Sequence, residues 1–308
     1  MHSRIHIITG QTATGKTNHA IQLAKTCNGD IINFDSKQIY KDIDILPGKD
    51  KGNSSFIHTH SLKSFDIGYY VVDGVKIWLY DIVKPNILFS ADDYEQCALF
   101  VIHYLREHNR IPIFVGGTYL YIKYLLYHTS NNLEPDLRLR SELGALSKSE
   151  LQQKLLLLNP VIFNSMNSSD RENPYRLIRK IELSHMGKVE NPIDLAYILD
   201  SKLNEETEIS FEGYSFRSKE ELYKLIEMRI EKRIKEGVLD EIQTLYNNGY
   251  TTQDPGMKSL GVRELIKVIQ KETTLEEAKT KWLYKERQYA KRQITFMKRD
   301  PHITWHSI

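Results

Sequence analysis

Apolar and polar positions follow two rhythms along the first half of the chain. Short apolar runs at residues 4–9, 30–34, 76–83 and 111–115 predict strands. Between them, residues 16–27, 91–107 and 119–127 carry the wider spacing of amphipathic helices. Strand–helix alternation predicts an α/β protein built on a doubly wound parallel sheet. Ligands of such a sheet sit outside the carboxyl ends of its strands. Gly10, Asp35 and Gly116 each fall at or just past such an end.

Residues 48–73 keep neither rhythm and predict a loop or a small β excursion. From about residue 133 the pattern turns helical, at 137–146, 148–158 and 173–186. A polar stretch at 191–210 follows, and then long helical runs at 218–247 and 274–299. The expected organisation is a core of residues 1–132 and 211–308, interrupted by a helical insert at 133–210.

Composition narrows the class. Of 308 residues, 41% are apolar and 27% charged, an ordinary globular balance. Net charge is +2, so a nucleic-acid surface has to come from local clustering. Residues 279–299 supply one, with eight Lys or Arg against the single acid Glu286. Trp282, Tyr289 and Phe296 recur every seven residues there, which predicts a core-docked helix with a basic outer face. Cys27 and Cys97 lack metal-type spacing and predict free thiols in a reducing compartment. No apolar run reaches membrane-spanning length, and the first strand-like run begins almost at Met1. A cytoplasmic protein without a membrane anchor is the expectation, acting as a monomer.

Residues 6–20 read HIITGQTATGKTNHA, and Gly10 to Thr17 fit the phosphate-loop pattern G-x-x-x-x-G-K-[ST] with a strand before and a helix after. Gly10, Thr12, Ala13, Thr14 and Gly15 would form the backbone nest for an anion. Lys16 would bridge phosphate oxygens, and Thr17 would hold a divalent ion, Mg²⁺. The loop itself does not say whether the phosphate belongs to a nucleotide. About twenty residues on, Asp35 follows the second apolar run, where a carboxylate holds Mg²⁺ through water or takes a proton from a nucleophile. Ser36 and Gln38 offer hydrogen bonds to a substrate, whereas Asp42 and Asp44 are expected to face solvent.

Gly-x-Thr-Ala-x-Gly-Lys-Thr followed by Asp-Ser-x-Gln-x-Tyr resembles the tRNA dimethylallyltransferase family. PIFVGGTYLYIKYLLY (112–127), NPYRLIRKIEL (173–183) and RQYAKRQITFMKRD (287–300) are similar to further family segments, in family order over nearly the whole chain. The resemblance implies transfer of a dimethylallyl group from dimethylallyl diphosphate to N6 of adenosine 37, beside the anticodon. It implies that the loop grips the departing diphosphate and that Asp35, Thr118 and Lys16 serve catalysis, Thr118 near the bridging oxygen. A helix N-cap is the other use open to Thr118. Arg229 and Arg233, four apart on one helical face, offer a clamp on the diphosphate; which one contacts it is open, as is a plain solvated stripe. On the RNA side, a base has to leave its stack before its edge can react. Asp35, Ser36 and Gln38, with Lys37 between them, are expected to read the extruded adenine of the tRNA anticodon stem-loop. Arg176 and Arg179, three apart on one helix face of the insert beside Tyr175, offer a hold on backbone or flanking bases, with plain surface solvation also open; the resemblance adds Arg140.

The chain departs from the family pattern at three places. Ile77-Trp78-Leu79-Tyr80-Asp81 stands where the family has His-His-Leu-Ile-Asp. Residues 44–50 read DILPGKD for DIGTAKP, and Lys258-Ser259-Leu260-Gly261-Val262 replaces Gln-Ala-Ile-Gly-Tyr. Two rivals remain open on sequence: a P-loop small-molecule kinase, and an RNA-binding homologue that has lost turnover.

Overall fold

In the computed structural model, which describes residues 3–128, 136–187, 194–203 and 206–308, the first apolar run becomes β1 (Ser3–Gly10) and the phosphate loop opens α1 (Lys16–Cys27). The chain continues through β2 (Gly29–Asn33), β3 (Ile57–Leu62), β4 (Phe65–Val72), β5 (Val75–Trp78), α2 (Ala91–Glu107), β6 (Ile111–Val115), α3 (Tyr119–Leu126) and β7 (Tyr127–His128). Next come α4 (Leu137–Gly144), α5 (Lys148–Leu158), α6 (Pro160–Ser165), α7 (Ser168–Arg171), α8 (Pro174–His185), β8 (Asp194–Tyr197) and α9 (Leu199–Leu203). The last elements are β9 (Thr207–Ser215), α10 (Lys219–Lys235), α11 (Val238–Asn247), α12 (Val262–Ile269), α13 (Leu275–Met297) and β10 (Thr304–Ser307).

The main sheet runs β10-β9-β1-β6-β2-β5-β4-β3. The six strands from β10 to β5 pair in parallel, while β4 and β3 add an antiparallel edge. Ile5, Ile7 and Ile8 of β1 and Ile31 and Ile32 of β2 are buried, as continuous apolar runs in central parallel strands should be. Each such side chain removed from water contributes about 1.5–3 kcal/mol.

Two compact units emerge, residues Met1–Tyr127 with Tyr197–Ile308, and His128–Ala196. The start expected for the insert, residue 133, lies outside the described residues. Its end is corrected: Thr207–Ser215 is not part of a polar insert but a strand paired with β1 along the whole of β1. Polarity hid it, because Glu208 and Glu212 take the solvent side and Glu208 pairs with Arg4 at 2.8 Å. The second unit has its own small core of Leu143, Leu151, Leu155, Ile162, Met166, Leu177 and Ile181.

Other expectations shift for backbone reasons. The strand expected at 76–83 stops at Trp78, because Leu79 and Asp81 take left-handed φ values of 65° and 56°. The irregular stretch at 48–73 contains the β3–β4 hairpin, the β excursion rather than a bare loop. The helical run at 218–247 breaks at Gly237, whose φ of 94° ends one helix and starts the next. Asp44 does not face solvent freely; it pairs with Lys49 at 2.9 Å and Lys51 at 2.6 Å. On α13, Trp282 is buried as expected, but Phe296 is 51% exposed and does not join the core.

Candidate active site

β6 lies between β1 and β2, with Val115 in register with both Ile8 and Asn33. The carboxyl ends of three neighbouring strands therefore bring together the phosphate loop, the Gly116-Gly117 turn and Asp35. Two of these turns need glycine for space. A Cβ on Gly10, whose φ is 133°, would sit 2.1 Å from the Tyr214 carbonyl oxygen on β9. One on Gly116 would sit 2.5 Å from the Phe34 backbone. A cleft of about 370 Å³ opens here, bordered on its far side by α10 and α13.

Gly15 caps α1 in a left-handed conformation and offers no side-chain acceptor, so the first-turn amides remain available to an anion. Lys16 Nζ donates to the carbonyls of Gly10 at 3.1 Å and Gln11 at 2.5 Å and to Thr14 Oγ1 at 3.3 Å. Thr12, Ala13, Gly15, Lys16 and Thr17 line the cleft, whereas Gly10 and Thr14 shape the loop from behind.

Both arginines left open by sequence line the cleft. Arg229 donates to the Thr12 hydroxyl, and Arg233 donates to Glu286 Oε1 at 3.3 Å. Arg233 is only 8% exposed, and Glu286 also accepts from Trp282 Nε1 at 3.2 Å. A plain solvated stripe is therefore excluded. Burial, and after it the neighbouring Arg229 charge, brings Lys16 down to about 7. Burial and the Arg233 charge bring Arg229 down to about 10. Three cations crowded in low dielectric repel one another, and a polyanion between them would relieve that repulsion.

Asp35 lines the cleft and is fixed from several directions. Its amide donates to Asn33 Oδ1 at 3.0 Å, its Oδ1 accepts the Lys37 amide at 2.9 Å, and its carbonyl accepts the Gln38 amide at 3.0 Å. Thr118 occupies the N-cap of α3 yet makes no side-chain cap bond. Its hydroxyl instead accepts the Ser36 amide at 2.9 Å and donates to Ser36 Oγ at 3.1 Å. Thr118 and Ser36 thus support the Asp35 turn and are not among the cleft-lining residues; Lys37 and Gln38 are. The carboxylate and the cations leave this cleft suited to placing a proton acceptor beside a polyanionic leaving group.

A family model described as IPP transferase matches residues 38–300, and one described as isopentenyl transferase matches residues 3–59. The chain belongs to the IPP transferase family. It is 31% identical to a tRNA dimethylallyltransferase of Geobacter sulfurreducens, over 98% of this chain and 91% of that one. It is 33% identical to one from Clostridioides difficile, over 97% and 90%. Among solved structures, the full-length tRNA isopentenylpyrophosphate transferase of Bacillus halodurans matches with a TM-score of 0.65 and 27% identity, over all of this chain and 90% of that one.

In this member of the IPP transferase family, Ile77 and Trp78 are both fully buried in β5 and line no part of the cleft. Trp78 packs on Tyr69 and Tyr104 and points its Nε1 at Asp30, at 3.5 Å. On the second unit, Arg140 holds the fully buried Glu182 by two bonds of 2.6 and 2.8 Å, and Arg179 reaches the same carboxylate at 3.1 Å. Arg176 pairs with Asp170, and Tyr175 is 67% exposed beneath the Arg140 guanidinium. The expected RNA contacts at Arg140 and Arg179 are thus engaged within their own unit.

Sequence reasoning missed several cleft residues: Asn18, Asn33, Tyr80, Lys258, Tyr289 and Gln293. It also gave Glu286 no role, although a lone acid in a basic helix was the available signal. Glu241 of α11 carried no signal. Its carboxylate accepts the amides of Asp44, Ile45 and Leu46 at 2.6, 2.7 and 3.0 Å, and so fixes the loop that brings Leu46, Pro47 and Gly48 into the cleft wall.

Proposed function

We propose that the chain transfers a dimethylallyl group from dimethylallyl diphosphate to N6 of adenosine 37 in a tRNA anticodon loop. The class of reaction, tRNA modification by dimethylallyl transfer, is that of the family and its relatives. The observation that carries the finer assignment is the sharing of one cleft by Asp35 and the Lys16–Arg229–Arg233 cluster. The phosphate loop and its cations hold the diphosphate. As N6 bonds to the terminal carbon of the dimethylallyl group, the carbon–oxygen bond breaks and its electron pair leaves with the diphosphate. Lys16, Arg229 and Arg233 stabilise the charge that builds there. The N6 proton passes to the Asp35 carboxylate, which raises the nucleophilicity of an otherwise delocalised amine. Thr118 acts in this scheme by holding the Asp35–Ser36 turn.

The donor set fits Mg²⁺, an ion that takes hard oxygen ligands and keeps substrate phosphates in its shell. Thr17, in the cleft wall, would hold it, and it would supply further charge neutralisation on the diphosphate.

Support for the RNA side comes from the end of α13. Lys291, Arg292, Lys298, Arg299 and Phe296 are exposed there, on the helix whose Tyr289 and Gln293 line the cleft. Backbone phosphates and an unstacked base need that combination of cations and an open ring. Tyr175, exposed on the second unit, offers another stacking face. The proposed enzyme works as a monomer in the cytoplasm; no helix among the described residues is long and apolar enough to cross a membrane.

The test is incubation with dimethylallyl diphosphate, Mg²⁺ and an anticodon stem-loop carrying A36-A37, read by the mass of the RNA. Mass gain at A37 supports the assignment. ATP consumption with a small acceptor supports a kinase, and RNA binding without transfer supports an inactive homologue. The burial of Ile77 and Trp78 away from the cleft favours an active enzyme, because the family's two histidines are replaced without removing a cleft-lining group.

A further inference from the structure

Asn33 is the last residue of β2 and is only 2% exposed, yet it lines the cleft with Asp35. Its backbone closes the parallel ladder with β6, opposite Val115, and its carbonyl accepts from the Tyr94 hydroxyl at 3.1 Å. Its side chain reaches forward along the chain and across to β5. Oδ1 accepts the Asp35 amide at 3.0 Å, while Nδ2 donates to the Asp35 carbonyl at 3.4 Å and to the Leu79 carbonyl at 3.2 Å. Only this orientation of the carboxamide satisfies both of its ends, since the flipped one would set the oxygen against two carbonyls. The Leu79 carbonyl is within reach because β2 and β5 stop together. Ile32 pairs with Trp78, and Leu79 then leaves the ladder at a φ of 65°, a left-handed turn that leucine adopts at a steric cost. Leu79 leads at once into Tyr80, which lines the cleft, and Asp81, which pairs with Lys49 and Lys51. Asp35 in turn accepts the Lys37 amide at its Oδ1, so two side-chain-to-backbone turns follow one another, Asn33 onto Asp35 and Asp35 onto Lys37.

We infer that Asn33 is a positioning residue for Asp35: its carboxamide holds both backbone groups of residue 35 and so sets the direction in which that carboxylate meets the substrate. The inference rests on the proposed reaction, in which Asp35 takes the N6 proton. Asp35 lies past the last ladder pair of β2, so its backbone needs another hold. With the amide and carbonyl of residue 35 bonded to one planar group, the carboxylate keeps only its two side-chain torsions. The Lys37 amide restrains those through Oδ1, and Oδ2 remains for the incoming proton. The bond to Leu79 ties this grip to the end of β5, so the hold is braced from a second strand and does not move with the turn. Asn33 does not act on the substrate itself, because its nitrogen is already engaged by two carbonyls of the protein. A buried amide with each end bonded is a rigid fixture, which is what a proton acceptor that must meet a delocalised amine requires.

The test is a double-mutant cycle on the single-turnover rate of transfer to an anticodon stem-loop, with wild type, Asn33→Ala, Asp35→Ala and the double variant. Calorimetric binding of inorganic pyrophosphate reports in each whether the phosphate-loop side is intact. Asn33→Ala should slow transfer about ten- to hundredfold with pyrophosphate affinity unchanged, as misplacement of a reacting group does. In the Asp35→Ala background the same substitution should slow transfer by no more than about twofold, because a residue that acts through another then has nothing to act on. Asn33→Ser keeps a hydroxyl that accepts the Asp35 amide and loses the bond to Leu79, and should slow transfer only about two- to tenfold. It carries the cycle in place of Asn33→Ala if that variant does not fold. A wild-type rate in the Asn33 variant overturns the positioning role. So does an undiminished further loss in the double variant, which would place Asn33 on the substrate or in the fold at large. If Asp35→Ala transfers at the wild-type rate, the proposed proton acceptor falls and its positioning falls with it. A slow Asp35→Ala beside a fully active Asn33 variant sinks the positioning alone and leaves the proposed reaction standing.

Discussion

The Thr118 hydroxyl accepts the Ser36 amide hydrogen at 2.9 Å and donates to the Ser36 hydroxyl at 3.1 Å, so the end of β6 holds the turn that carries Asp35. Thr118→Val keeps the shape and leaves the Ser36 amide without its acceptor. A stability loss of about 1–3 kcal/mol is expected from that unpaired donor, read by equilibrium denaturation. Turnover should fall about ten- to hundredfold as Asp35 shifts. Thr118→Ser should recover most of both. Lost turnover with unchanged stability would instead place the hydroxyl on the substrate.

Glu241 acts at a greater distance. Its carboxylate gathers three amides of the loop that leads to Gly48. An ideal Cβ on Gly48 would stand 3.5 Å from Arg233 and 3.6 Å from Arg229, so the loop also sets the space around the two guanidinium groups. Hydrogen bonds to a charged group contribute about 1.5–3 kcal/mol. Glu241→Ala should therefore raise donor KM more than it lowers kcat, and should expose residues 44–52 to limited proteolysis. A variant with native donor KM and native protease resistance would show the loop to be self-supporting.

The depressed Lys16 makes a pH prediction. Burial, and secondarily Arg229, lowers it from 10.5 to about 7 in the folded protein. Between those two values the unfolded chain holds a proton that the native chain has released, so the Lys16 contribution makes stability rise with pH across that window. Below about 7 the group is charged in both states and the native form is penalised in full. A bound diphosphate favours the charged form, so binding inorganic pyrophosphate at pH 8 should take up a proton. Calorimetry in two buffers of different ionisation enthalpy reads that uptake. Lys16→Met should abolish it.

Gly10 is required by β9, not only by the phosphate loop. A Cβ there meets the Tyr214 carbonyl at 2.1 Å, and φ is 133°. Gly10→Ala should cost at least the usual overpacking penalty of about 1–3 kcal/mol, with added backbone strain, as a lowered denaturation midpoint. Gly15→Ala meets no atom within 4 Å and bears only the strain of a φ of 74°. It should be the milder change in stability, and a reversal of that order would contradict the packing account.

On the second unit, Glu182 is a fully buried carboxylate held by Arg140 and Arg179. Removing one partner of such a pair costs about 3–5 kcal/mol. Arg140→Ala should loosen the second unit, seen as faster amide exchange over 137–185, and only through that weaken RNA binding. Arg140→Ala that weakens RNA binding with native exchange rates would make Arg140 a direct contact.

The α/β class, the phosphate loop with its flanking strand and helix, and Asp35 past a strand end were legible from the order of residues alone. These are local: residues 10–17 carry their own geometry, and the apolar runs of central parallel strands announce themselves. The sequence also pointed to the family, through motifs that keep their order along the chain. Tertiary structure decided the rest. β9 reads as polar because one of its faces meets solvent, and only its pairing with β1 makes it a core strand. The helical period alone left Arg229 and Arg233 undecided between solvent and site; the approach of α10 to the cleft decided it. Glu286, Glu241 and Lys258 reach the site from far along the chain, and no spacing rule connects residue 35 to residues 241, 258 or 286. A carboxylate or an ammonium acquires its role from the charges and amides that folding places around it, and that environment is not written in any local stretch.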